Sequence, residues 1–163
     1  MRFSLLNPRS VRHKTLSPKD LTVDQNIDVF AVIETWLSKE TEEFTIRDLR
    51  PTGYECYNVS IRVSRVGGGI GVIEKTVFRL REKHPCIVTK FKSFEFMAVL
   101  LKHIPSSYLR LIIVYRPQTM GDGTSSTAKF FEEFPSLLEF LVTVPGSLLM
   151  GGDVRLKFVC VMS

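Results

Sequence analysis

Three polar residues stand where apolar runs of the chain end, and their side chains could do chemistry together: Asn7, Glu34 and Asp153. In layered folds the loops at strand ends converge, and binding sites are built there. One amide and two carboxylates supply the hard oxygen atoms that Mg²⁺ takes as ligands. Such an ion polarises a phosphoryl oxygen while a carboxylate orients the attacking water. These residue types therefore indicate a metal-assisted hydrolytic site.

Each of these residues also has a plain structural interpretation. Asn7-Pro8 is a common way to start a turn, and Glu34 could be a solvated charge at the edge of a sheet. Gly151-Gly152-Asp153 could be only a turn. Taken one at a time, residue type and position favour the structural interpretation.

The elements that would position these residues are strands with a few helices between them. A helix is predicted from Ser17, with Pro18 in its first turn, to about Asn26. Residues 35–52 are polar and are predicted to be irregular, with a turn at Pro51-Thr52-Gly53. A second helix is kinked or delayed by Pro135, and its apolar residues share one face: Phe130, Phe134, Leu137, Leu138 and Leu141. Strands are predicted at residues 2–6, 27–34, 54–59, 70–73, 86–90, 94–101, 109–115 and 147–150.

This order of elements predicts an α+β fold in which sheet packs on sheet with helices outside. The chain has 163 residues, the size of one domain. Its three cysteines are Cys56, Cys86 and Cys160, and their wide spacing predicts neither a disulfide framework nor a zinc site. A reducing, intracellular compartment fits this composition, and no apolar run is long enough to span a bilayer.

The net charge of +5 is unevenly distributed along the chain. Residues 1–19 carry five Lys or Arg and no acid, residues 20–55 carry three against nine acids, and residues 56–92 carry eight against two. Basic zones on both sides of an acidic one suit a site that holds a polyanion and a metal ion together. The charge counts alone favour a simpler interpretation, a solvated surface.

Five short strings carry a family resemblance in their order and approximate spacing: Leu6-Asn7-Pro8-Arg9-Ser10-Val11, Ile27-Asp28-Val29-Phe30-Ala31-Val32-Ile33-Glu34-Thr35-Trp36-Leu37, Gly67-Gly68-Gly69-Ile70-Gly71-Val72, Tyr115-Arg116-Pro117 and Gly151-Gly152-Asp153. Together they resemble the endonuclease domain of non-LTR (LINE-type) retrotransposons, which belongs to the endonuclease/exonuclease/phosphatase superfamily. The resemblance extends from the N-terminus to about Asp153.

The resemblance implies a four-layered α/β sandwich and hydrolysis of DNA phosphodiesters that depends on Mg²⁺ (or Mn²⁺). Glu34 corresponds to the metal-binding Glu of the family, and Asn7 to the Asn that helps to position metal and phosphate. Tyr115 matches the Tyr that approaches the scissile phosphate. Asp153 matches the Asp that orients or deprotonates the water and completes the metal site. All four residues are expected to converge at one end of the sandwich.

The C-terminal part departs from the family pattern. Arg155 stands where the family has Asn, and nothing after Leu156 resembles the later Asp or the Ser-Asp-His that supplies the catalytic His. Residues 1–156 are therefore interpreted as a partial domain, incomplete at its C-terminus, and residues 157–163 as a tail outside the family. With half of the constellation missing, the activity of this chain stays open, and we expect the isolated chain to be inactive.

Two other interpretations remain: a non-enzymatic remnant that binds nucleic acid, and another phosphodiesterase or phosphatase of the same superfamily. The partner implied by the resemblance is DNA, with no membrane, together with a reverse transcriptase domain in a longer parent polyprotein. The expected location is intracellular, either nuclear or cytoplasmic.

Overall fold

The computed structural model of the chain describes residues 1–11, 16–37, 39–59, 68–78, 91–104, 107–120, 123–153 and 157–162. The chain divides into two compact units, Met1–Arg79 and Leu80–Ser163. Each unit has its own four-stranded sheet of described strands, mixed in direction and accompanied by helices. The predicted α+β class is confirmed. No described helix is both long enough and apolar enough to cross a membrane.

The first unit holds a sheet in the order β1-β2-β4-β3. Strands β1 and β2 are parallel, and the other two pairings are antiparallel. The described elements are β1 (Phe3–Leu6), α1 (Leu16–Asp24), β2 (Val29–Ile33), α2 (Lys39–Leu49), β3 (Tyr54–Val59), β4 (Ile70–Lys75) and a 3-10 turn (Thr76–Phe78). These bounds match the predicted strands and the first predicted helix to within a few residues.

The central strand of this unit is β2, and all five of its residues are buried. A strand that is apolar on both faces is expected in the interior of a layered fold. Phe30 and Val32 pack with Ile73 and Leu49 on the helix-bearing side of the sheet. Because β2 runs parallel to β1, the carboxyl ends of both strands lie at the same edge. Asn7 and Glu34 follow those two ends.

The prediction that residues 35–52 are irregular is wrong, because Lys39–Leu49 forms α2. The helix is rich in charged residues and buries only a narrow face. Thr45 and Leu49 are buried on that face and Ile46 is half-buried, whereas Phe44 is exposed. So narrow an apolar stripe gives a weak periodic signal in the sequence. The prediction of a turn at Pro51-Thr52-Gly53 is confirmed, since the Tyr54 amide donates to the Pro51 carbonyl over 3.1 Å.

The second unit holds a sheet in the order β5-β6-β7-β8. Strands β6 and β7 are parallel and joined through a helix, and the other two pairings are antiparallel. The described elements are β5 (Glu95–Ile104), β6 (Ser107–Tyr115), α3 (Thr127–Thr143), β7 (Ser147–Asp153) and β8 (Lys157–Met162). The described bounds of β5, β6 and β7 lie within a few residues of the strands predicted at residues 94–101, 109–115 and 147–150.

Helix α3 covers one face of this sheet. Phe130, Leu137 and Leu141 are buried against Phe96 and Val114. The helix begins at Thr127 and runs through Pro135, so the predicted late start is wrong. The predicted apolar face is otherwise confirmed, with Phe134 half-buried and Leu138 partly exposed.

Two C-terminal segments form strands that the sequence did not indicate in full. Gly151 and Gly152 lie inside β7, which ends at Asp153, so the alternative of a simple turn at these residues is wrong. The tail expected to lie outside the family forms β8, which pairs with β7 from Leu148 to Asp153. The division into a domain of residues 1–156 and a tail of residues 157–163 stays a prediction. The strand predicted at residues 86–90, Gly67 and Arg155 lie outside the described residues.

Candidate functional site

Asn7 and Glu34 form a hydrogen-bonded pair at the carboxyl ends of β1 and β2. The Asn7 Nδ2 group donates to Glu34 Oε1 over 3.0 Å in a partly buried position. On its other side, Asn7 Oδ1 accepts a hydrogen bond from the Arg9 amide, also over 3.0 Å. These two bonds orient the Asn7 amide plane. The structure therefore brings together two of the four residues singled out in the sequence.

The backbone around this pair adopts conformations that L-residues rarely take. Glu34 has φ of 55°, as does Trp36, and Arg9 and Ser10 also have positive φ, of 54° and 101°. Such a conformation costs a non-glycine residue about 1–3 kcal/mol and persists only where the surroundings hold it. Here the Ser10 amide donates to the Glu34 carbonyl over 2.8 Å. The two loops that carry the pair are thus tied to each other through their backbones.

A second set of backbone bonds ties the Glu34 loop to the glycines before β4. The Thr35 amide donates to the Gly69 carbonyl over 3.3 Å, and the Trp36 amide donates to the Gly68 carbonyl over 2.9 Å. Gly68 and Gly69 have φ of 85° and 89°, which glycine adopts without strain. Their described contacts are with the loop that carries Glu34.

The oxygen donors at this edge fit a Mg²⁺ site of the kind that uses few protein ligands. Mg²⁺ is commonly held by one or two carboxylates, with waters and substrate phosphates completing its octahedron. Glu34 supplies the carboxylate, and its hydrogen bond from Asn7 fixes one of its oxygens. In this geometry the Asn7 amide nitrogen bonds the Glu34 carboxylate, and the roles of both residues as metal ligands stay predictions. The described residues contain no group of three or more His, Cys, Asp or Glu side chains able to hold a metal ion.

Tyr115 and Asp153 are direct neighbours in the second unit. They are register partners on the parallel strands β6 and β7. Partners in register point to the same face of a sheet, so both side chains stand on the face opposite α3. The Arg116 amide donates to the Asp153 carbonyl over 2.9 Å, which holds the two strand ends together. Tyr115 is buried and Asp153 half-buried.

Arg116 anchors the end of β6 on the helix side of the sheet. Its side chain is 7% exposed, and its NH1 group donates to Thr127 Oγ1 at the start of α3 over 2.9 Å. The guanidinium carbon lies 5.4 Å from the centre of the Phe130 ring, within the range of a cation–π contact. The Ser126 hydroxyl donates to the Pro117 carbonyl. Arg116 and Pro117 therefore fix the position of the strand end that carries Tyr115.

Sequence reasoning missed one acid beside this pair. Glu95 is 2% exposed and is the register partner of Tyr115 on β5. Glu95, Tyr115 and Asp153 therefore form one row across three strands. A single acid between Phe94 and Phe96, at the start of an apolar strand, was the signal that could have indicated it.

The structure thus forms two pairs, Asn7 with Glu34 and Tyr115 with Asp153, each within one unit. The convergence of all four residues stays a prediction from the resemblance. The Trp36 side chain is half-buried, and its Nε1 group has no hydrogen-bond partner among the described residues.

Solved structures show which fold these elements form. The chain resembles the APE2 catalytic domain of Xenopus laevis, with a TM-score of 0.67, 14% identity, and coverage of 96% of this chain and 59% of that one. It also resembles an AP endonuclease from Archaeoglobus fulgidus, with a TM-score of 0.61, 13% identity, and coverage of 94% and 57%. It also resembles truncated Caenorhabditis elegans TDP2, with a TM-score of 0.60 and 14% identity. That match covers 95% of this chain and 61% of the TDP2 chain.

These structures have the endonuclease/exonuclease/phosphatase fold, and the fold predicted from the resemblance is confirmed. The chain spans about three fifths of the length of these solved chains. No protein-family model and no curated protein matches the sequence.

Proposed function

We propose that this chain carries the metal-binding and phosphate-contacting residues of a DNA phosphodiesterase of the non-LTR retrotransposon type. The observation that carries the proposal is the hydrogen-bonded Asn7–Glu34 pair at the carboxyl ends of two parallel strands. The fold shared with an AP endonuclease supports it, as do the five sequence strings in their family order. The retrotransposon resemblance implies DNA as substrate, a reverse transcriptase domain in a longer parent chain as a further partner, and an intracellular location, nuclear or cytoplasmic.

The residues of each pair have distinct tasks in this proposal. Glu34 would hold a Mg²⁺ or Mn²⁺ ion, which when bound supplies positive charge against the developing charge of the phosphate. Asn7 holds the Glu34 carboxylate in one orientation through its amide hydrogen. By the resemblance, the Tyr115 phenol donates to a phosphate oxygen, and Asp153 accepts a proton from the attacking water and belongs to the metal site.

The rate expected of the chain by itself is low. The groups that the family supplies after Leu156 are absent from residues 157–163. Removal of one group that stabilises developing charge costs roughly 100- to 1,000-fold in rate. With more than one such group missing, nicking by the isolated chain should not exceed the buffer background.

The proposal is tested by a metal-binding measurement and a nicking assay on the same proteins. Binding of Mn²⁺ is followed by water proton relaxation for the original chain and for Glu34→Ala, with Glu43→Ala as a control. Glu43 is exposed on α2 in the same unit. We expect a Mn²⁺ site that Glu34→Ala removes and Glu43→Ala retains. Binding that is the same in all proteins would contradict the metal-binding proposal.

The nicking assay uses supercoiled plasmid with Mg²⁺. Nicking that disappears in Glu34→Ala would show that this chain is an active enzyme and that the absent groups are dispensable or supplied by another molecule. DNA binding that depends on salt but not on Glu34 or on metal would instead favour the nucleic-acid-binding remnant.

A further inference from the structure

Thr35, the residue after Glu34, is buried and bonded to several segments around the candidate site. Thr35 is 2% exposed, and its Oγ1 hydroxyl donates to Asn58 Oδ1 on β3 over 2.9 Å. Its backbone amide donates to the Gly69 carbonyl, and its carbonyl accepts a hydrogen bond from the Val11 amide over 3.2 Å. One buried residue thus contacts three separate segments of the first unit.

Two glycines, Gly69 and Gly71, lie beside the Thr35 side chain, and position 69 requires glycine. A Cβ atom added at Gly69 would clash with Thr35 Oγ1, and the φ of 89° at Gly69 disfavours any side chain there. A Cβ added at Gly71 would lie 3.3 Å from the Tyr57 carbonyl oxygen and 3.4 Å from Thr35 Cγ2. The Thr35 side chain therefore occupies a slot. Gly69 and Gly71 form one wall of this slot, and the Thr35 hydroxyl faces Asn58.

We propose that Thr35, with Asn58 as its hydrogen-bond acceptor and Gly69 as the wall of its slot, positions the Glu34 carboxylate for metal binding. This inference rests on the proposed function, in which Glu34 is the metal ligand. Glu34 has a positive φ, so its backbone needs support from its neighbours, and Thr35 supplies it from the adjacent peptide. Thr35 is a positioning residue: it acts through Glu34.

The competing explanation is that Thr35 only fills space. Valine has nearly the shape of threonine but no hydroxyl, whereas serine keeps the hydroxyl and loses a methyl group. A packing role predicts that Thr35→Ser is the more harmful change. A positioning role predicts instead that Thr35→Val lowers the metal affinity more than Thr35→Ser does. Residues that orient a metal ligand typically contribute about 10- to 100-fold to metal affinity.

The experiment measures Mn²⁺ dissociation constants of the full chain by proton relaxation, with thermal unfolding as a check on folding. We expect Thr35→Val to weaken Mn²⁺ binding about 10-fold or more, and Thr35→Ser to stay within about 3-fold of the original chain. Asn58→Ala should match Thr35→Val, and the double variant should be no weaker than either single one, because both remove the same hydrogen bond.

A matched glycine pair provides a further control. Gly69→Ala should lose Mn²⁺ affinity as Thr35→Val does. Gly53→Ala introduces a side chain at a similar φ of 82° with nothing within 4 Å, and it should keep the affinity of the original chain. If Thr35→Val fails to fold, Asn58→Ala and the glycine pair still distinguish a positioning role of Thr35 from a packing role.

Two results would overturn the inference: unchanged Mn²⁺ binding in a folded Thr35→Val or Asn58→Ala protein, or additive losses in the double variant. Failure of the proposed function itself gives a different result, since Glu34→Ala would then bind Mn²⁺ as the original chain does.

Discussion

The amide of Asn7 and the carboxylate of Glu34 meet over 3.0 Å although 27 positions separate them in the chain. The parallel pairing of β1 with β2, from Phe3 with Val29 to Leu6 with Val32, fixes this meeting. Any shift in that register would separate the two side chains. The pair therefore reports both on the candidate site and on the register of the sheet.

A double-mutant cycle on this pair measures how strongly the two residues are coupled. Asn7→Ala and Glu34→Ala are each expected to lower the free energy of unfolding, and the coupling energy should be about 1 kcal/mol, since the bond is charge-assisted but only partly buried. Urea denaturation of the four proteins gives the value. Asn7→Ala combined with Glu43→Ala is the control and should be additive. A coupling energy indistinguishable from zero would mean that the bond contributes nothing in solution.

Glu133 on α3 is expected to make stability depend on pH. Its Oε2 atom accepts hydrogen bonds from the Ser93 hydroxyl over 2.7 Å and from the amides of Ser93 and Lys92, each over 3.0 Å. Burial alone would raise the pKa of Glu133, but the bonds from Ser93 and Lys92 outweigh it and lower the pKa below the usual value. The resulting stabilisation is therefore present above the unfolded pKa of about 4.3 and is lost as pH falls through the lower, folded pKa.

Glu133→Gln should accordingly reduce the free energy of unfolding at pH 7 and have progressively less effect as the pH falls below about 4. Urea denaturation between pH 3 and 7 measures the difference. Glu132→Gln serves as the control, because the Glu132 side chain is 65% exposed and its 2.8 Å ion pair with Lys129 is a surface contact of small value. An effect of Glu133→Gln that does not change with pH would contradict the account given for its carboxylate.

The thiol of Cys56 is expected to react slowly in the folded protein. Burial on β3 raises the pKa of Cys56 to about 12. At pH 8 the thiolate fraction is then roughly 1,000-fold lower than for an unfolded cysteine of pKa about 8.5. Alkylation by iodoacetamide, followed by mass spectrometry in a Cys86→Ser, Cys160→Ser background, gives the rates with and without urea. Equal rates in both conditions would show that the thiol is not protected.

Strand β8 should contribute to stability and to solubility. It pairs with β7 along six register positions, so its removal would expose the edge of β7. A chain ending at Leu156 should lose about 5 °C or more in Tm, corresponding to ~2 kcal/mol at 2–4 °C per kcal/mol, and should self-associate. Light scattering after size exclusion, with thermal unfolding, tests both. A chain lacking only Ser163 is the control, and a monomeric, equally stable shortened chain would refute the expectation.

Strong local patterns made much of the fold predictable. The buried run Val29–Ile33 and the Pro51-Thr52-Gly53 turn are encoded in a few adjacent residues. Helix α2 was missed because its charged residues dominate and only a narrow face is buried. The strand β7 was predicted too short because Gly151 and Gly152 are poor strand formers in isolation. The parallel pairing with β6 overrides that local preference.

The four residues of the candidate site were predicted from their positions at strand ends and from the resemblance. The structure groups them as two pairs. The support beneath Glu34 could not be predicted. Asn58 reaches Thr35 only because β3 pairs with β4 in one register, which places Asn58 opposite Gly71. That register follows from packing of the whole sheet, and no short stretch of the sequence encodes it.

Each of the two residue pairs is held inside its own unit, so mutations in one unit need not disturb the other pair. Asn7 and Glu34 are held by contacts inside the first unit, and Tyr115 and Asp153 by the ladder inside the second. A lesion at Gly69 would disturb the first pair while the β6–β7 ladder keeps the second in place. Under the proposed function, a mutation in one unit can therefore disturb the Glu34 side of the metal site while the row that holds Tyr115 and Asp153 is inherited intact, and the reverse holds for a mutation in the other unit.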